Sequence, residues 1–453
     1  MNRAAARSIS IVGAGLAGAL LALLCARRGI QVTVYERRAD PRQAHPEQGR
    51  SINLALAARG LRALERAGVI QAVRPLLIPM RGRMVHEGSG AAALQPYGQR
   101  PGEVIWSVGR AALNRVLLDA AARHAGVTVR FSHTCLGIDP GADRLRLRDT
   151  SSGAESAVAL GATIATDGAG SAVRTGLAAA GLLEAREDWL DHDYKELTIP
   201  AAAGRHVLDS QALHVWPRGG FMLIALPNTD GSFTATLFLP RRGPASFEAL
   251  TSPAAVGAFF AREFPDVVPY MPDLAAEFAH HPQGRLGTVH AAPWHLGGQV
   301  LLLGDAAHAI VPFHGQGMNA AFEDCSVLDA LLAPHAGWHE VFAQFEAARR
   351  ANAEAIAQMA LENYVEMRDA VRDATFVRRR SIALALERTF PDRFIPRYSM
   401  VMFHPEIDYA DALRRGEIQA RILGELDRGA GADFDAAQAL ALIEARLPPL
   451  PSA

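Results

Sequence analysis

The sequence contains little cysteine for its length. Among 453 residues only Cys25, Cys135 and Cys325 are cysteines, and they stand far apart with no Cys-x-x-Cys pair. This spacing suggests neither a disulfide framework nor a dithiol redox centre. We therefore expect a protein of the reducing cytoplasm.

An excess of charge of either sign is also absent. Lys and Arg number 46 against 47 for Asp and Glu, which leaves a formal net charge of −1. This balance excludes nucleic-acid binding through bulk charge, and a hydrophobic content of 49% excludes a disordered chain. The length predicts about three domains with a sizeable core.

Long apolar runs are rare, and one of them imitates a targeting segment. Ile9–Cys25 follows Arg3 and Arg7, as the apolar part of a secretory signal would. Three glycines interrupt the run, however, and Arg27 and Arg28 stand where a small-residue cleavage site belongs. No other stretch approaches the ~20 apolar residues of a spanning helix, so we expect a soluble chain with no membrane partner.

The N-terminal residues predict a strand, a helix and a second strand. Ser8–Val12 is apolar, Leu16–Arg28 consists of good helix formers, and Gln31–Tyr35 is rich in β-branched residues and ends at Glu36. Gly-x-Gly-x-x-Gly occupies the first turn, at the offsets typical of a dinucleotide-binding βαβ unit.

The three glycines have separate tasks in such a turn. Gly13 permits the tight bend, Gly15 lets the backbone approach a pyrophosphate, and Gly18 lets the helix pack closely on the strand. The helix N-terminus offers free N–H groups to the phosphates, and Glu36 would accept hydrogen bonds from a ribose diol. The fingerprint alone does not distinguish FAD from NAD, and a purely structural glycine turn is the alternative.

Two later segments also join a strand to a helix start. Val300–Leu303 leads to Asp305, and the glycine-rich stretch Gly315–Asn319 opens the next helix. Before them, another strand is followed by Asp167 and Arg174. Taken singly, Asp167 is interpreted as a helix N-cap and Arg174 as a solvated helix residue.

Together these segments resemble the single-component FAD-dependent aromatic hydroxylases. In that family the first fingerprint holds the FAD pyrophosphate, a Gly-Asp segment such as 304–305 contacts the ribityl chain and diphosphate, and a segment such as Asp167–Arg174 braces the site. The resemblance implies the α/β class, with a Rossmann-like FAD-binding domain, an inserted antiparallel-sheet substrate domain and a C-terminal helical region. It also implies that NADPH visits without a Rossmann domain of its own.

The expected domain boundaries follow the predicted elements. We expect residues 1–190 to bind FAD, with 80–100 contributing to the substrate site, and 289–360 to return to this domain. Residues 191–288 would form the substrate-binding sheet, because alternating residues at Leu213–Trp216, Phe221–Leu226 and Phe233–Leu239 predict antiparallel strands. Residues 361–453 would be helical.

Six blocks narrow the resemblance to the kynurenine 3-monooxygenase family. They are Gly49–Gly60, Met80–Met84, Gln95–Gly98, Tyr194–Pro200, Pro312–Asn319 and Glu362–Arg368. Members of that family convert L-kynurenine to 3-hydroxykynurenine with FAD, O2 and NADPH, in tryptophan catabolism. Two departures are that many animal members have an aromatic residue where His314 stands, and that mitochondrial members end in a membrane-anchoring helix without counterpart here.

The resemblance implies two sets of binding residues. L-Kynurenine is a zwitterion, so its carboxylate needs a cation; the implied substrate residues are Arg83, Tyr97, Asn363 and Tyr398. The implied FAD contacts are Gly13, Gly15, Leu16, Ala17, Gly18, Glu36, Arg37, Ala55, Arg110, Leu136, Asp305, Gly317, Met318 and Asn319. Of these, Arg110 is expected to begin a helix and Leu136 to end a strand. Without the resemblance, Arg83 would be interpreted as a solvated edge-strand residue.

We expect no catalytic acid or base among the side chains. In the family that the chain resembles, a flavin C4a-hydroperoxide delivers an electrophilic oxygen to a ring activated by its amino group, so the cofactor carries the difficult step. The protein has to position the ring and keep water out.

The remaining charged and histidine-rich segments indicate no further site. His335 and His339 are four residues apart, but no third ligand follows at metal-binding spacing, so we expect no metal. Arg378–Arg380 is interpreted as a solvated helix face.

Two alternatives remain open. One is a sibling flavin hydroxylase that acts on another aromatic acid, and the other is a non-catalytic carrier with the FAD fold. A homodimer is possible.

Overall fold

The computed structural model describes residues 7–43, 53–87, 91–333, 335–369, 373–427 and 434–450. Arg3 and residues 49–52 of the first resemblance block lie outside these ranges. The chain divides into two compact units. The first combines Met1–Leu77, Val108–Trp189 and Gly287–Ala357, and the second combines Ile78–Ser107, Leu190–Leu286 and Gln358–Ala453.

Strands and helices are both numerous and are numbered in chain order. The strands are β1 (Ser8–Val12), β2 (Gln31–Tyr35), β3 (Asn53–Leu56), β4 (Ile78–Met80), β5 (Gly82–His86), β6 (Ala92–Pro96), β7 (Ile105–Gly109), β8 (Val127–Arg130), β9 (His133–Asp139), β10 (Arg144–Asp149), β11 (Glu155–Ala159), β12 (Thr163–Ala165), β13 (Glu184–Ile199), β14 (Ala212–Pro217), β15 (Met222–Pro227), β16 (Phe233–Pro240), β17 (Gln283–Ala292), β18 (His295–Leu296) and β19 (Val300–Leu302). The helices are α1 (Leu16–Arg27), α2 (Ala58–Arg66), α3 (Ile70–Val73), α4 (Arg110–Ala122), α5 (Ala172–Ala179), α6 (Pro253–Glu263), α7 (Leu274–His280), α8 (Asp305–His308), α9 (Gly317–Leu331), α10 (Trp338–Asp369), α11 (Ala374–Thr389), α12 (Arg397–Phe403), α13 (Tyr409–Leu426) and α14 (Ala436–Arg446). This mixture confirms the predicted α/β class.

A six-stranded sheet forms the centre of the first unit, in the order β18-β19-β12-β1-β2-β8. Strands β19, β12, β1, β2 and β8 run parallel, and α1 packs against α4 and α9. Every residue from Gly18 to Cys25 in α1 is buried, because a helix that is apolar on all sides has to be covered on all sides.

Parallel strands bring their carboxyl ends to one edge of the sheet. The residues that follow these ends include Asp305 after β19, Asp167 after β12, Gly13 after β1 and Glu36 after β2. Ligands of open parallel sheets bind at this kind of edge. The topology therefore gathers the sequence-predicted motifs although they are far apart in the chain.

The second unit is built around a sheet with strand order β17-β13-β16-β15-β14-β5-β6. The predicted antiparallel strands are confirmed, since β14 pairs with β15, β15 with β16 and β16 with β13, all antiparallel. A buried apolar cluster in this unit includes Trp216 and Phe233 from the strands and Phe260 and Phe264 from α6 and its C-cap, all fully buried. β5 joins the sheet parallel to β14, so Arg83 lies inside a sheet and not on an exposed edge.

The C-terminal helices form a second, smaller apolar cluster. α11, α13 and α14 contribute most of its buried members, among them Leu386, Ile422 and Ile443. Within the described ranges, none of the helices has both the length and the hydropathy that crossing a membrane requires.

Two local interpretations differ from the structure. Leu136 lies inside β9 and not at its end, at a bulge where Gly137 and Cys135 oppose consecutive residues of β10. A bulge re-aims the side chain of the extra residue, which strand alternation in the sequence cannot indicate. Arg380 is not simply solvated: its guanidinium donates to Pro96 O and, at 3.1 Å, to Gln95 Oε1.

Candidate active site

In the glycine turn after β1, an added side chain would find open space at one glycine and would clash at the other two. Gly13 has a φ of +96°, and a Cβ added there would lie 2.7 Å from Thr166 O. A Cβ on Gly18 would lie 2.0 Å from Gly13 O, so a side chain would push α1 off the turn. A Cβ on Gly15 would meet no atom of the described residues within 4 Å. The backbone at Gly15 is therefore open to a ligand.

The N-terminus of α1 offers donors at the same place. Its first bond runs from Ala19 N to Gly15 O at 2.9 Å, so the N–H groups of Leu16, Ala17 and Gly18 precede the hydrogen-bonded part of the helix. The N-cap Gly15 has no side chain to accept from them, and no acidic residue lies in the first turn. An anion such as a pyrophosphate fits these donors.

Glu36 holds the turn from the neighbouring strand. Its Oε2 accepts from Ala14 N at 2.8 Å, and its Oε1 accepts from Arg38 N at 3.0 Å and Arg38 Nε at 2.9 Å. Burial alone would raise the pKa of Glu36, but the hydrogen bonds from Arg38 and Ala14 outweigh it and lower the pKa below its usual value. The carboxylate is therefore ionised beside the glycine turn, and its remaining lone pairs can accept from a ribose.

A third set of groups comes from β19 and α9. Asp305 is exposed although Gly304 and Ala306 on either side are buried. A Cβ on Gly304 would lie 3.8 Å from Ala17 Cβ and 3.0 Å from Ala321 Cβ, which places this segment beside the first turns of α1 and α9. Asp305 is thus an accessible carboxylate next to two helix N-termini.

The side chain of Asn319 hydrogen-bonds the backbone of two neighbouring segments. Its Nδ2 donates to Ala55 O at 2.9 Å and Gly315 O at 2.8 Å, and its Oδ1 accepts from Ala57 N at 2.9 Å. The amide therefore ties β3 to the turn before α9. Any contact of Asn319 with a cofactor has to use its backbone N–H, which together with those of Gly317 and Met318 precedes the bond from Ala320 N to Gln316 O.

Arg174 and Asp167 brace this edge of the sheet. Arg174 is buried, and it donates to Ala306 O at 2.9 Å, to Ala169 O and to Glu187 Oε1 at 3.2 Å. Asp167 accepts from Ala172 N at 2.8 Å, while the N-cap of α5 is Ser171. The single-residue interpretation of Arg174 as solvated is therefore wrong, because the residue anchors the segment that carries Asp305.

A buried ionic cluster supports the same segment, and sequence reasoning missed it. Asp324 on α9 accepts from His308 Nε2 at 2.6 Å, Arg349 Nε at 2.7 Å and Gly304 N at 3.1 Å. Burial alone would raise the pKa of Asp324, but His308 and Arg349 outweigh it and lower the pKa to about 2. An acidic residue among the apolar positions of α9 is the signal that could have revealed this cluster.

The other expected FAD contacts are Arg37, Arg110 and Leu136. Desolvation by surrounding atoms raises the pKa of Asp305 and the charges of His308 and Arg110 oppose it, so Arg110 lies close enough to act on this group. Arg37 is exposed directly after Glu36, Arg110 is exposed as the first residue of α4, and Leu136 is half-buried in β9. Their roles stay predictions.

The four expected substrate residues converge in the second unit. Arg83 is 3% exposed, and its Nη2 donates to Asn363 Oδ1 at 3.3 Å. Its Cζ lies 5.0 Å from the ring centre of Tyr398 and 5.8 Å from that of Tyr97, and these two rings stack with centres 5.6 Å apart. Arg83 Nε is buried with no hydrogen-bond partner among the described residues. A guanidinium with an unpaired donor is thus held in an aromatic cage.

Sequence reasoning missed two charged neighbours of Arg83. Glu366, one turn from Asn363 on α10, forms an ion pair with Arg83 Nη1 at 3.3 Å, and its side chain is 26% exposed. Arg380 approaches from α11, where burial and then the charge of Arg83 lower its pKa. The Glu-Asn-Tyr-x-Glu spacing could have indicated Glu366, since residues three apart share a helix face.

Comparisons with known proteins agree with this geometry. A family model described as FAD binding domain matches residues 7–360. The kynurenine 3-monooxygenase of Xanthomonas campestris pv. campestris (strain 8004) is 49% identical over 454 residues, which cover 99% of this chain and 99% of the relative.

Two solved structures show the fold. The tetrameric form of 2-methyl-3-hydroxypyridine-5-carboxylic acid oxygenase superposes with a TM-score of 0.65 at 19% identity, over 81% of this chain and 94% of that one. Klebsiella pneumoniae HpxO, complexed with FAD and uric acid, superposes with a TM-score of 0.62 at 20% identity, over 82% and 90% of the two chains.

We predict that Gly15→Val abolishes cofactor binding without unfolding the protein. A Cβ at Gly15 meets only open space, so the apoprotein should fold, while the valine would occupy the room that a pyrophosphate needs. The flavin absorbance of the purified protein and its circular dichroism measure the two effects. Gly257→Val, at an exposed and equally open position of α6, is the matched control and should keep FAD. Stoichiometric FAD in the Gly15 variant would contradict the placement.

We predict that Asp324→Asn lowers the free energy of unfolding at neutral pH by about 3 kcal/mol, because it breaks a buried ionic cluster. The folded pKa of Asp324, about 2, lies below the unfolded value of about 4. Its stabilisation is therefore complete above about pH 4 and is lost as the pH falls towards 2. The variant should lack this part of the acid dependence.

Urea unfolding at neutral and acidic pH measures both effects of Asp324→Asn. Asp411→Asn, whose side chain is 50% exposed and paired with Arg414, is the control and should change stability by less than about 1 kcal/mol. An equal acid dependence in wild type and the Asp324 variant would contradict the assignment.

Proposed function

The chain belongs to the kynurenine 3-monooxygenase family of FAD-binding proteins, and we propose that it hydroxylates L-kynurenine to 3-hydroxykynurenine with FAD as cofactor and NADPH as reductant. The full-length identity of 49% to a kynurenine 3-monooxygenase supports the reaction. The observation that carries the substrate assignment is the caged guanidinium of Arg83 with its unpaired Nε.

The charges around Arg83 match those of a zwitterionic amino acid. Burial alone would lower the pKa of Arg83, but the hydrogen bond with Tyr398 and the charge of Glu366 outweigh it and raise the pKa, so the guanidinium stays positive. It can bind the carboxylate of the substrate through Nε and one Nη, which favours a planar, two-pronged anion. Glu366 lies beside Arg83 and is partly exposed, so its carboxylate would accept hydrogen bonds from the substrate ammonium group.

The tyrosines act as neutral donors in this arrangement. Burial raises the pKa of Tyr97 and of Tyr398, so both hydroxyls keep their protons at physiological pH. A protonated hydroxyl can donate to a carboxylate, whereas a phenolate beside it would repel the substrate. The stacked rings also exclude water from the guanidinium, which strengthens its attraction for an anion.

The first unit fits FAD. Its glycine turn leaves open space at Gly15, the N-termini of α1 and α9 present unused N–H groups, and Glu36 and Asp305 supply carboxylates for hydroxyl groups. When bound, FAD supplies the activation of O2 and the transfer of one oxygen atom. The side chains of this chain therefore have to bind, orient and exclude water, and none is required as acid or base for the ring.

O2 as co-substrate and a cytoplasmic location belong to the same proposal. Cys25, Cys135 and Cys325 are all free thiols in the structure, which fits a reducing compartment. Assembly as a homodimer also stays a prediction.

We predict that L-kynurenine stimulates NADPH oxidation by the FAD-loaded protein and that 3-hydroxykynurenine accumulates in proportion. The absorbance of NADPH gives the rate, and chromatography with mass detection gives the product. Benzoate-type and anthranilate-type acids, which lack the amino-acid tail, are the comparison substrates. Faster turnover with one of them would favour the sibling hydroxylase, and a protein that binds no FAD would favour the carrier.

We predict that Arg83→Ala keeps FAD but weakens L-kynurenine binding by about 100-fold, since losing one partner of a desolvated charge pair costs about 3 kcal/mol. Titration of the flavin spectrum with L-kynurenine gives Kd, and steady-state assays give KM. Arg414→Ala, an arginine whose side chain is 54% exposed on α13, is the control and should bind normally. An unchanged Kd in the Arg83 variant would refute its role as carboxylate partner.

A further inference from the structure

Glu103, Glu387 and His404 meet in the second unit although they are remote in sequence. One ligand atom from each lies within 4.8 Å of those of the other two. Glu103 is two residues before β7, Glu387 is near the end of α11, and His404 directly follows α12. All three belong to the same unit.

Two of these side chains contribute buried atoms that lack partners. Glu387 is 2% exposed; its Oε2 accepts from Gln99 Nε2 at 2.6 Å, but its Oε1 accepts no hydrogen bond from any residue in the described ranges. His404 Nε2 is likewise buried and unpaired within the part of the chain that the structure describes. Unsatisfied buried polar atoms are rare because each costs about 1–3 kcal/mol. Because ligand atoms of Glu387, His404 and Glu103 all lie within 4.8 Å of one another, one shared ligand could satisfy both unpaired atoms.

The imidazole of His404 is already oriented as a metal ligand. Its Nδ1 lies 2.8 Å from Glu406 Oε1, so Nδ1 donates to that carboxylate, and in the neutral imidazole Nε2 presents its lone pair. Metal-bound histidines commonly have this arrangement, with a carboxylate behind the ring. A lone pair next to the oxygens of Glu103 and Glu387 calls for a cation.

Arg100 supplies the positive charge that faces the two carboxylates, and a bound cation could replace it. Arg100 Nη1 lies 2.9 Å from Glu103 Oε1 and 4.0 Å from Glu387 Oε1, and the Arg100 side chain is 53% exposed. The other oxygen of Glu103 accepts from the backbone N–H groups of Gln99 at 2.7 Å and Arg100 at 3.0 Å. Glu103 is thus fixed in place, while the guanidinium can swing into solvent.

We propose that Glu103, Glu387 and His404 form a binding site for a divalent cation of the Zn²⁺ class. The ligands are a Glu103 oxygen, Glu387 Oε1 and His404 Nε2, with water in a fourth position. One imidazole and two carboxylates suit Zn²⁺, whose bonds of about 2 Å bring tetrahedral ligands to about 3.4 Å from one another. Binding would require side-chain rotations that draw the three groups inward from their present separations of up to 4.8 Å.

An occupied site would join segments that also carry substrate residues. Glu103 follows Tyr97 in the turn after β6, and His404 follows Tyr398 at the end of α12. A cation would cross-link this turn to α11 and α12. The binding itself is independent of kynurenine and of the proposed reaction, so it can be tested without either.

The test is calorimetric titration of untagged, FAD-loaded protein with Zn²⁺ in a buffer that does not chelate metals. We expect one high-affinity equivalent per chain and a melting temperature that rises with the Zn²⁺ concentration, because a ligand of the native state stabilises it by mass action. Mg²⁺ should not compete, since it prefers octahedral oxygen ligands. No saturable Zn²⁺ binding, or equally tight Mg²⁺ binding, would overturn the proposal.

Variants separate this site from adventitious binding by surface histidines. Glu387→Gln and His404→Gln should each weaken Zn²⁺ binding by at least about 100-fold, and Glu406→Gln by about 10-fold, in the range seen for groups that orient a ligand. Arg100→Ala should strengthen it, because the competing cation is gone. His280→Gln, at an exposed position of α7, is the control and should leave it unchanged.

The Arg100→Ala variant tests the proposal even if the Glu387 or His404 variant folds poorly, because the proposal predicts that its Zn²⁺ affinity increases. A purely structural role of Arg100 predicts weaker or unchanged Zn²⁺ binding. Either of those results in a folded Arg100 variant would overturn the proposal, as would full affinity in the His404 variant.

Discussion

The second unit depends on how its surroundings stabilise the buried guanidinium of Arg83. Arg83 is 3% exposed within a seven-stranded sheet, and a buried charge is tolerated only when other groups replace its hydration. Asn363, Glu366 and the faces of two tyrosines supply part of that replacement. The donor that they leave unused is the most direct structural reason to expect an anionic group on the substrate.

In the first unit, helix N-termini and strand ends perform the corresponding task for a cofactor. Five parallel strands deliver their carboxyl ends to one edge, and two helices begin there with N–H groups that their own turns do not use. Supporting contacts hold this edge from behind. Arg174 donates to Ala306 O, and the Asn319 side chain donates to Ala55 O in β3. Asp324 accepts from His308, Arg349 and Gly304 N. The exposed groups can remain free for a ligand because buried ones fix the backbone.

The polar clusters of the second unit share backbone segments. Tyr97 and Glu103 lie on one turn, and Tyr398 and His404 lie at the two ends of α12. Gln99, two residues after Tyr97, ties this turn to the Glu103–Glu387–His404 cluster, since its backbone N–H donates to Glu103 and its side chain donates to Glu387. Contacts that fix Glu103 and His404 therefore also restrict where the rings of Tyr97 and Tyr398 can lie.

The local elements and the cofactor motifs can be predicted from the sequence alone, because the glycine fingerprint, the strand patterns and the acid after β2 act over a few neighbouring residues. Its resemblance to a family also named Arg83, Tyr97, Asn363 and Tyr398. Tertiary packing, in contrast, buries Arg83, brings Arg380 to Pro96 and pairs Glu366 with Arg83. It also surrounds Asp324 with His308 and Arg349 and gathers Glu103, Glu387 and His404. These depend on which strands pair and which helices pack. Arg83 and Glu366 are 283 positions apart and Pro96 and Arg380 are 284 apart, so local spacing alone does not indicate these contacts.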